Sequence, residues 1–502
     1  MTTPGAPGLL TGTVDDVLRR TAHRVPDSPA LHYRDRSWTY AALDAAVSTA
    51  AAHLRTAHGL TEGDRVATYG HNSDAYLIAY LGCARAGLVH VPVNQNLTGG
   101  DLAHLLGQSG SSLVLADPDL AARVPEGFPV LPLRDAPGSF LDALTTPVPY
   151  ASDSDPLAPV QLLYTSGTTA DPKGAIMTHR ALVHEYASAV EALDLAGTDR
   201  PVHALPLYHS AQTHVFLLPY LAVGAENTLL DGPDADRLFD LVEAGRADSF
   251  FAPPTVWIGI ANHPGFATRT LDGLRKAYYG ASVMPVPVLE RLRARLPSLA
   301  FYNCFGQSEI GPLATVLRPE EHEGRMDSCG RPVRHVEARI VDEQGEEVPD
   351  GTAGEIAYRS PQLCLGYWGV DDPDLFADGW FRSGDLAVRD AEGYFTIVDR
   401  VKDVINSGGV LVASRQVEDA LYTHPAVAEA AVIGLPDERW IEAVTAVVVR
   451  RDPSLTEDQL RSYARERLAH FKAPKRVVFV DALPRNASGK ILKRELRDRL
   501  TE

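Results

Sequence analysis

The chain contains the stretch Leu163-Tyr164-Thr165-Ser166-Gly167-Thr168-Thr169-Ala170-Asp171-Pro172-Lys173-Gly174, which combines hydroxyl side chains and glycines with one lysine. An apolar run over residues 160–164 predicts a strand before it, and the pattern from Thr178 predicts a helix after it. Backbone amides exposed by glycine, hydroxyl groups and a lysine suit a polyanion such as a chain of phosphates. A Walker loop is excluded because Gly174, not Ser or Thr, follows Lys173. A polar hairpin turn is the alternative interpretation, since turns use the same residue types.

Length and composition indicate a globular protein of several units. The chain has 502 residues, of which 45% are hydrophobic and 22% charged, and this length suggests about three structural units. The formal net charge of −18 argues against general nucleic-acid binding, which needs clustered Lys and Arg.

The cysteines and the apolar runs indicate in which cellular compartment the protein is found. Four cysteines lie far apart without metal spacing, which predicts reduced, mostly buried thiols. The longest apolar run, residues 215–225, is shorter than the roughly 18 residues of a membrane span, and the first ten residues lack the pattern of a signal peptide. We therefore expect a cytoplasmic protein without a transmembrane segment.

Hydrophobic periodicity predicts the fold class, which is α/β. Helical and strand patterns alternate over residues 11–150 and again over 181–299, as in parallel α/β layers, whereas short β runs follow over 327–399. We predict a large N-terminal domain (1–399) of two layered α/β subdomains plus a small β-barrel, a hinge (400–402), and a small, mobile α+β C-terminal domain (403–502).

Four further motifs carry groups suited to a nucleotide site, although each also fits an ordinary turn, cap or linker. Asn303 to Glu309 place an aromatic ring beside a hydroxyl and a carboxylate, which suit a purine, a phosphate and Mg²⁺. Asp385 lies in a Ser-Gly-Asp turn and could hold ribose hydroxyls. The others are the charged run 399–403 before the glycines at 408–409, which fits a hinge, and Lys490 in a Ser-Gly-Lys turn near the chain end.

In order and spacing, these motifs resemble the adenylate-forming superfamily of acyl-CoA synthetases, adenylation domains and luciferases, over nearly the whole chain. The signature Tyr-Thr-Ser-Gly-Thr-Thr-Gly-x-Pro-Lys-Gly is matched at 164–174, with Ala170 in place of the third glycine. Further tracts resemble bacterial fatty-acyl-CoA synthetases in particular: 206–210, 279–282, 359–363 and 408–418.

The resemblance implies a two-step ligase. A carboxylic acid, fatty or aryl, attacks Mg²⁺-bound ATP to give an acyl-adenylate and pyrophosphate, and CoA thiol then displaces AMP. The implied partners are a small-molecule acid and CoA or another acceptor, with no nucleic acid; a homodimer is left open.

The resemblance also implies roles for residues at the matching positions. The phosphates would be held by Thr165, Ser166, Gly167, Thr168, Thr169, Lys173 and Ser308, and Mg²⁺ by Thr165 and Glu309. The nucleoside would be bound by Gly280, Ala281, Ser282, Asn303, Phe305, Gly306, Gln307, Asp385 and Arg400. Lys490 would bridge acid and α-phosphate, Lys402 would be the hinge, Gly408 and Gly409 would reach the pantetheine tunnel, and His209 would lie between the acid and thiol channels.

Departures from the family pattern leave the function partly open. Ala170 replaces a glycine, Gly409 is followed by Val410 and Leu411 where Glu-Asn is frequent, and Asp327-Ser328-Cys329 is unusual. A second interpretation is an adenylating enzyme of secondary metabolism that uses a carrier-protein thiol, an amine, or nitrite for diazotisation of an aryl amine. A third is a non-catalytic nucleotide-binding relative, against which Lys173, Glu309, Asp385 and Lys490 argue.

Overall fold

The computed structural model describes residues 12–151, 154–165, 172–282, 284–372, 375–408, 410–437, 439–485 and 491–501, with Thr165 and Ala377 described in their backbone alone. Across these ranges, every helix is too short or too polar to cross a membrane. The four cysteines at 83, 304, 329 and 364 are buried free thiols, as predicted.

The first α/β unit is built on a six-stranded sheet in the order β6-β5-β3-β4-β7-β8. All neighbours in it are parallel except β7 and β8, and α3 is buried on every side. The elements up to β8 are α1 (Val14–Arg24), β1 (Pro29–Tyr33), β2 (Arg36–Thr39), α2 (Tyr40–Thr56), β3 (Arg65–Tyr69), α3 (Asp74–Arg85), β4 (Val89–Pro92), α4 (Gly99–Ser109), β5 (Ser111–Ala116), α5 (Pro118–Ala121), β6 (Val130–Pro132), β7 (Pro159–Thr165) and β8 (Lys173–Thr178).

The stretch that opened the sequence analysis lies in a β-hairpin. A strand was predicted before it and a helix after it, but β8 intervenes and pairs antiparallel with β7, with Thr165 opposite Lys173. The helix then begins at His179, where the Thr178 side chain accepts a hydrogen bond from Ala181 N. Residues 166–171, including Ser166, Gly167, Thr168 and Thr169, lie outside the described ranges.

The second unit is a nine-stranded sheet in the order β15-β14-β13-β12-β11-β9-β10-β1-β2. Strands β13 to β1 along this order are parallel, as predicted for this region, and antiparallel strands close both ends. A π-helical turn, Ala211–Leu217, precedes α7. The elements are α6 (His179–Ala192), β9 (Pro201–His203), α7 (Leu218–Val223), β10 (Asn227–Leu229), α8 (Ala235–Glu243), β11 (Ser249–Ala252), α9 (Pro254–Asn262), α10 (Pro264–Thr268), β12 (Lys276–Gly280), α11 (Val286–Arg295), β13 (Ala300–Phe305), β14 (Thr315–Leu317) and β15 (Arg331–Pro332).

The third unit, predicted as a small β-barrel, is an open four-stranded antiparallel sheet in the order β16-β17-β18-β19. Its strands are β16 (Glu337–Val341), β17 (Ala353–Arg359), β18 (Phe381–Arg389) and β19 (Phe395–Arg400). The sheet does not close into a barrel, and the segment before β15 covers the edge of β19. Cys329 N donates to Phe395 O at 2.9 Å, and Gly330 forms an antiparallel β-bridge with Phe395.

The C-terminal domain has its own sheet and its own apolar core, which includes Ile405, Val432, Val444 and Val448. Its elements are β20 (Ile405–Ser407), β21 (Val410–Val412), α12 (Ser414–Tyr422), β22 (Val427–Asp437), β23 (Ile441–Arg450), α13 (Glu457–Arg467), β24 (Arg476–Phe479) and α14 (Lys493–Thr501). The prediction of an α/β chain with a large N-terminal and a small C-terminal domain is therefore confirmed.

Close strand packing determines where β12 and β13 end. The strands run parallel with Gly280 opposite Cys304, so the residues that follow each strand emerge at the same edge of the sheet. A Cβ atom at Gly280 would overlap the Cys304 carbonyl oxygen. Only glycine allows this approach.

We therefore expect Gly280→Ala to lower the unfolding temperature. Overpacking against a backbone atom costs about 1–3 kcal/mol, which corresponds to a fall of about 1–4 °C for a domain of this size. Gly259→Ala is the matched control, because a Cβ there meets nothing within 4 Å and the position is an exposed turn of α9. Thermal unfolding followed by circular dichroism measures both, and an equal effect of the two substitutions would contradict the packing argument.

Candidate active site

A cavity of about 630 Å³ lies where the large domain meets the C-terminal domain. Strand ends and turns from both domains form its walls. Of the residues predicted to bind the nucleotide or to form the hinge, these line it: Ala281, Ser282, Asn303, Phe305, Gly306, Asp385, Arg400 and Lys402. Motifs more than a hundred residues apart in sequence are thus brought together.

The wall formed by the ends of β12 and β13 is held in an unusual backbone conformation. Ala281 has φ of +63°, in the left-handed region that non-glycine residues seldom adopt. A Cβ at Gly306 would overlap the Pro312 carbonyl oxygen, so this position also requires glycine. Such strain is found at ligand sites where the surrounding packing fixes the backbone.

Asn303 and the unusual tract before Gly330 are connected. The Asn303 side-chain amide donates to the Ser328 carbonyl oxygen at 2.8 Å, and Ser328 Oγ donates to Phe395 O at 2.7 Å. The tract Asp327-Ser328-Cys329, which differs from the family pattern, therefore connects the second sheet to β19 through Ser328. Asp327 and Cys329 also line the cavity.

An ion pair joins the two sides of the predicted ribose site. Asp385 and Arg400 are directly opposite on β18 and β19, with Arg400 Nε 2.9 Å from Asp385 Oδ1. Asp385 is buried and Arg400 is partly exposed to the cavity. A fixed carboxylate of this kind is able to accept hydrogen bonds from vicinal hydroxyls.

Glu309 and Lys173 meet at a residue that the sequence analysis did not identify, Tyr367. The Tyr367 hydroxyl donates to Glu309 Oε1 at 3.0 Å, and Lys173 Nζ lies 5.4 Å from the centre of the Tyr367 ring. Burial and the adjacent Glu309 raise the pKa of Tyr367, so its hydroxyl keeps its proton. Main-chain hydrogen bonds hold the segment beside β8, from Ile176 N to Gly366 O (2.9 Å) and from Trp368 N to Gly174 O (2.8 Å).

The donor chemistry here fits a magnesium ion. Glu309 offers carboxylate oxygens on a short 3-10 turn, Ser308–Ile310, and Mg²⁺ prefers oxygen ligands. The side chain of Thr165, the other predicted ligand, is not described.

Ser308 contacts Ser210, the residue that follows His209 in the sequence. The hydroxyl oxygens of Ser210 and Ser308 are 2.9 Å apart. Burial lowers the pKa of His209 to about 4, so the imidazole is neutral at pH 7, and its Nε2 is buried without a hydrogen-bond partner in the structure. The tract 206–210 was quoted for its resemblance, but no role was predicted for Ser210. Gln307 precedes the same 3-10 turn, and its carbonyl oxygen accepts a hydrogen bond from Ile310 N.

Two direct hydrogen bonds tie the domains together beside the hinge. Ser414 N, at the start of α12, donates to Asp399 Oδ2 at 2.5 Å, and Arg415 Nη1 donates to Ile397 O at 2.7 Å. Lys402 lies in the sequence between the two acceptor residues and the two donor residues of these hydrogen bonds. Its pKa is lowered by burial and by the nearby Arg400.

The structure describes the approach to Lys490 but not the residue itself. Arg485 and Ile491 line the cavity and pair with each other, on either side of residues 486–490, which lie outside the described ranges together with Gly409. Gly408 is not part of the cavity wall. It is exposed, has φ of +67°, and donates to the Trp440 carbonyl oxygen at 2.6 Å.

Comparison with known proteins gives a family match in both domains. The AMP-binding enzyme model matches residues 18–368, and the AMP-binding enzyme C-terminal domain model matches 416–490. The chain is 38% identical to a feruloyl-CoA synthase of Amycolatopsis sp over 489 residues, which cover 96% of this chain and 97% of that one. It is 35% identical to the fatty acid–[acyl-carrier-protein] ligase ScoC of Streptomyces coeruleorubidus, covering 95% and 94%. The crystal structure of ATP-bound MatB from Rhodopseudomonas palustris superposes with a TM-score of 0.88 at 30% identity, covering 98% and 99%.

We expect Asp385→Asn to weaken AMP binding about tenfold or more. The substitution removes a charged acceptor and leaves Arg400 without its carboxylate, and a hydrogen bond to a charged group is worth about 1.5–3 kcal/mol. Glu337→Gln is the control, because it breaks a similar ion pair, with Arg359 at 2.5 Å, on the exposed surface of the same sheet. Isothermal titration with AMP gives both affinities, and unchanged binding in Asp385→Asn would exclude this carboxylate from the ribose site.

Proposed function

Because the chain belongs to the AMP-binding enzyme family in both its large and its C-terminal domain, we propose that it is an AMP-forming acid–CoA ligase acting on a fatty or aryl carboxylic acid. The observation that carries the proposal is the convergence of predicted adenine and ribose residues from separate motifs on one cavity between the domains. The similarity to a feruloyl-CoA synthase over nearly the full length of both chains supports an acid substrate with CoA as acceptor.

In the first half-reaction, a carboxylate oxygen attacks the α-phosphorus of ATP. The bond from that phosphorus to the β-bridging oxygen breaks, and pyrophosphate leaves. Charge develops on the phosphoryl oxygens in the transition state, so cationic and hydroxyl donors fixed near them accelerate the step. Lys173, Ser308 and Lys490 are the residues to which we assign this role.

The remaining nucleotide contacts position the α-phosphorus for attack. Phe305 and the backbone of Ala281 and Ser282 would flank the adenine, and Asp385 with Arg400 would hold the ribose. A Mg²⁺ ion held by Glu309 and Thr165 would neutralise phosphate charge when bound. The hydrogen bond from Tyr367 keeps the Glu309 carboxylate oriented toward that task.

In the second half-reaction, the CoA sulfur attacks the acyl carbon, the bond to the AMP oxygen breaks, and the thiol proton is lost. Lys490 has no place in this step, so the C-terminal domain would turn about Lys402. This motion would break the Ser414–Asp399 and Arg415–Ile397 hydrogen bonds. The hairpin of β20 and β21 would then face the large domain, which is consistent with the 69% exposure of the apolar Leu411 in the present arrangement.

The function is tested by measuring pyrophosphate and AMP release with Mg²⁺-bound ATP across short, long-chain and aryl acids and nitrite, with and without CoA. We expect one carboxylic acid to give AMP release that depends on CoA. Pyrophosphate release that is indifferent to CoA would overturn the acceptor assignment. An acyl-carrier-protein thiol, the acceptor named for ScoC, would then be assayed next.

The assignment of Lys490 to one half-reaction predicts a separation of the two. Lys490→Ala should reduce pyrophosphate release about a hundredfold or more, because removing one preorganised donor of transition-state charge costs that much. The variant should still convert synthetic acyl-adenylate and CoA into acyl-CoA at close to the wild-type rate. Arg499→Ala is the control, since this residue pairs with Glu495 on the exposed side of the neighbouring α14. Equal loss of both half-reactions in Lys490→Ala would contradict the assignment.

A further inference from the structure

A buried polar network lies directly behind the turn that carries Ser308 and Glu309. Its members are Glu185 and Ser188 on α6 and Gln362 in the segment after β17, and all three are completely buried. None of them was predicted to act at the site. The tract 359–363 was noted only as resembling fatty-acyl-CoA synthetases.

Gln362 makes most of the contacts. Its Nε2 donates toward Glu185 Oε2 (2.6 Å) and the carbonyl oxygens of Ile310 (3.2 Å) and Leu313 (3.1 Å). Its Oε1 accepts a hydrogen bond from Ser188 Oγ at 2.7 Å, which fixes the orientation of the amide. One side chain therefore binds both ends of the Ile310–Leu313 turn.

Glu185 contacts the same turn from the other side. Its Oε1 accepts a hydrogen bond from Leu313 N at 3.3 Å. Gly311, with φ of +98°, packs so closely that an added Cβ would lie 3.2 Å from Glu185 Cβ. Burial raises the pKa of the Glu185 carboxyl well above its usual range, and among the described residues no cation offsets this shift.

The segment that contains Gln362 holds Glu309 at two further points. Cys364 N donates to the Glu309 carbonyl oxygen at 2.8 Å, and the Tyr367 hydroxyl binds the Glu309 carboxylate at 3.0 Å. The main chain of Glu309, its side chain and the turn that follows it are thus fixed by one short segment. Glu185 joins that segment to α6, which follows the β7–β8 hairpin.

We propose that Glu185 and Gln362 are positioning residues for the adenylation step: they hold the Ile310–Leu313 turn so that Ser308 and Glu309 meet the phosphates and Mg²⁺ of ATP. This inference rests on the proposed function. Both side chains are completely buried, so neither would touch the substrates. Their effect is on the polyphosphate end of the nucleotide, and the Asp385–Arg400 end lies on a different sheet.

The test compares Gln362→Met with Asn227→Leu. Asn227 is a matched control because it is also completely buried, its Nδ2 donates to two carbonyl oxygens at 2.9 Å, and its Oδ1 pairs with a side chain, His203, but it lies on β10 away from the cavity. Both substitutions keep the side-chain shape and remove the amide. Both should lower the unfolding temperature.

Only Gln362→Met should change the binding of the polyphosphate. We expect its affinity for the Mg²⁺ complex of the α,β-methylene analogue of ATP, measured by calorimetry, to fall about tenfold or more, because hydrogen bonds to charged groups are strong and weaken steeply when the donor is displaced. Its affinity for adenosine should stay within about twofold of wild type, because adenosine has no phosphate to meet Ser308 or Glu309. Asn227→Leu should leave both affinities unchanged.

If Gln362→Met does not fold, Glu185→Gln is the second variant, since it keeps the size of the side chain. It should lower the affinity for the metal-bound analogue by a smaller factor, about threefold to tenfold, because it removes one hydrogen-bond acceptor. Equal loss of affinity for adenosine and for the metal-bound analogue in these variants would overturn the positioning role, as would analogue affinity that stays at the wild-type value. If the wild-type protein does not bind the metal-bound analogue, the proposed function fails, and this inference fails with it.

Discussion

The hydrogen bond between Tyr367 and Glu309 lies where three parts of the large domain are in contact. Tyr367 belongs to the segment between β17 and β18, Glu309 to the end of the second sheet, and Lys173, beside the Tyr367 ring, to the hairpin that closes the first sheet. Three structural units therefore meet at one phenol. A polyphosphate bound there, as we propose, would contact every unit of the large domain, so the geometry of the site would depend on the packing of the whole domain.

The hydrogen bonds described between the C-terminal domain and the large domain lie beside the hinge. Ser414 N and Arg415 bind Asp399 and Ile397 beside the hinge, and the domain has an apolar core of its own. An interface of this kind has little apolar area to lose when the domains separate. Such a balance suits an enzyme in which two half-reactions need different walls around the same adenylate.

Much of the fold follows from local patterns, and the site follows from them only in part. Strands β3, β4 and β11 lie in the regions predicted to form parallel α/β layers, because each is a short buried run between turn residues. Strand β8 was not predicted, since Gly174 and the neighbouring loop residues mask its alternation. Tyr367, Ser210 and Gln362 have no distinctive sequence signal. Their roles depend on contacts with residues 58, 98 and 177 positions away, which one sequence does not show.

The four buried cysteines have a practical consequence. Burial raises the pKa of each thiol, most strongly at Cys83 and Cys304, so little thiolate is present at neutral pH. Alkylating reagents react with thiolate that solvent can reach. A single cysteine introduced on the exposed surface of each domain would therefore be labelled in preference to the native ones. The chain is thus suited, without removal of its own cysteines, to paired fluorophores that report the distance between the two domains during turnover.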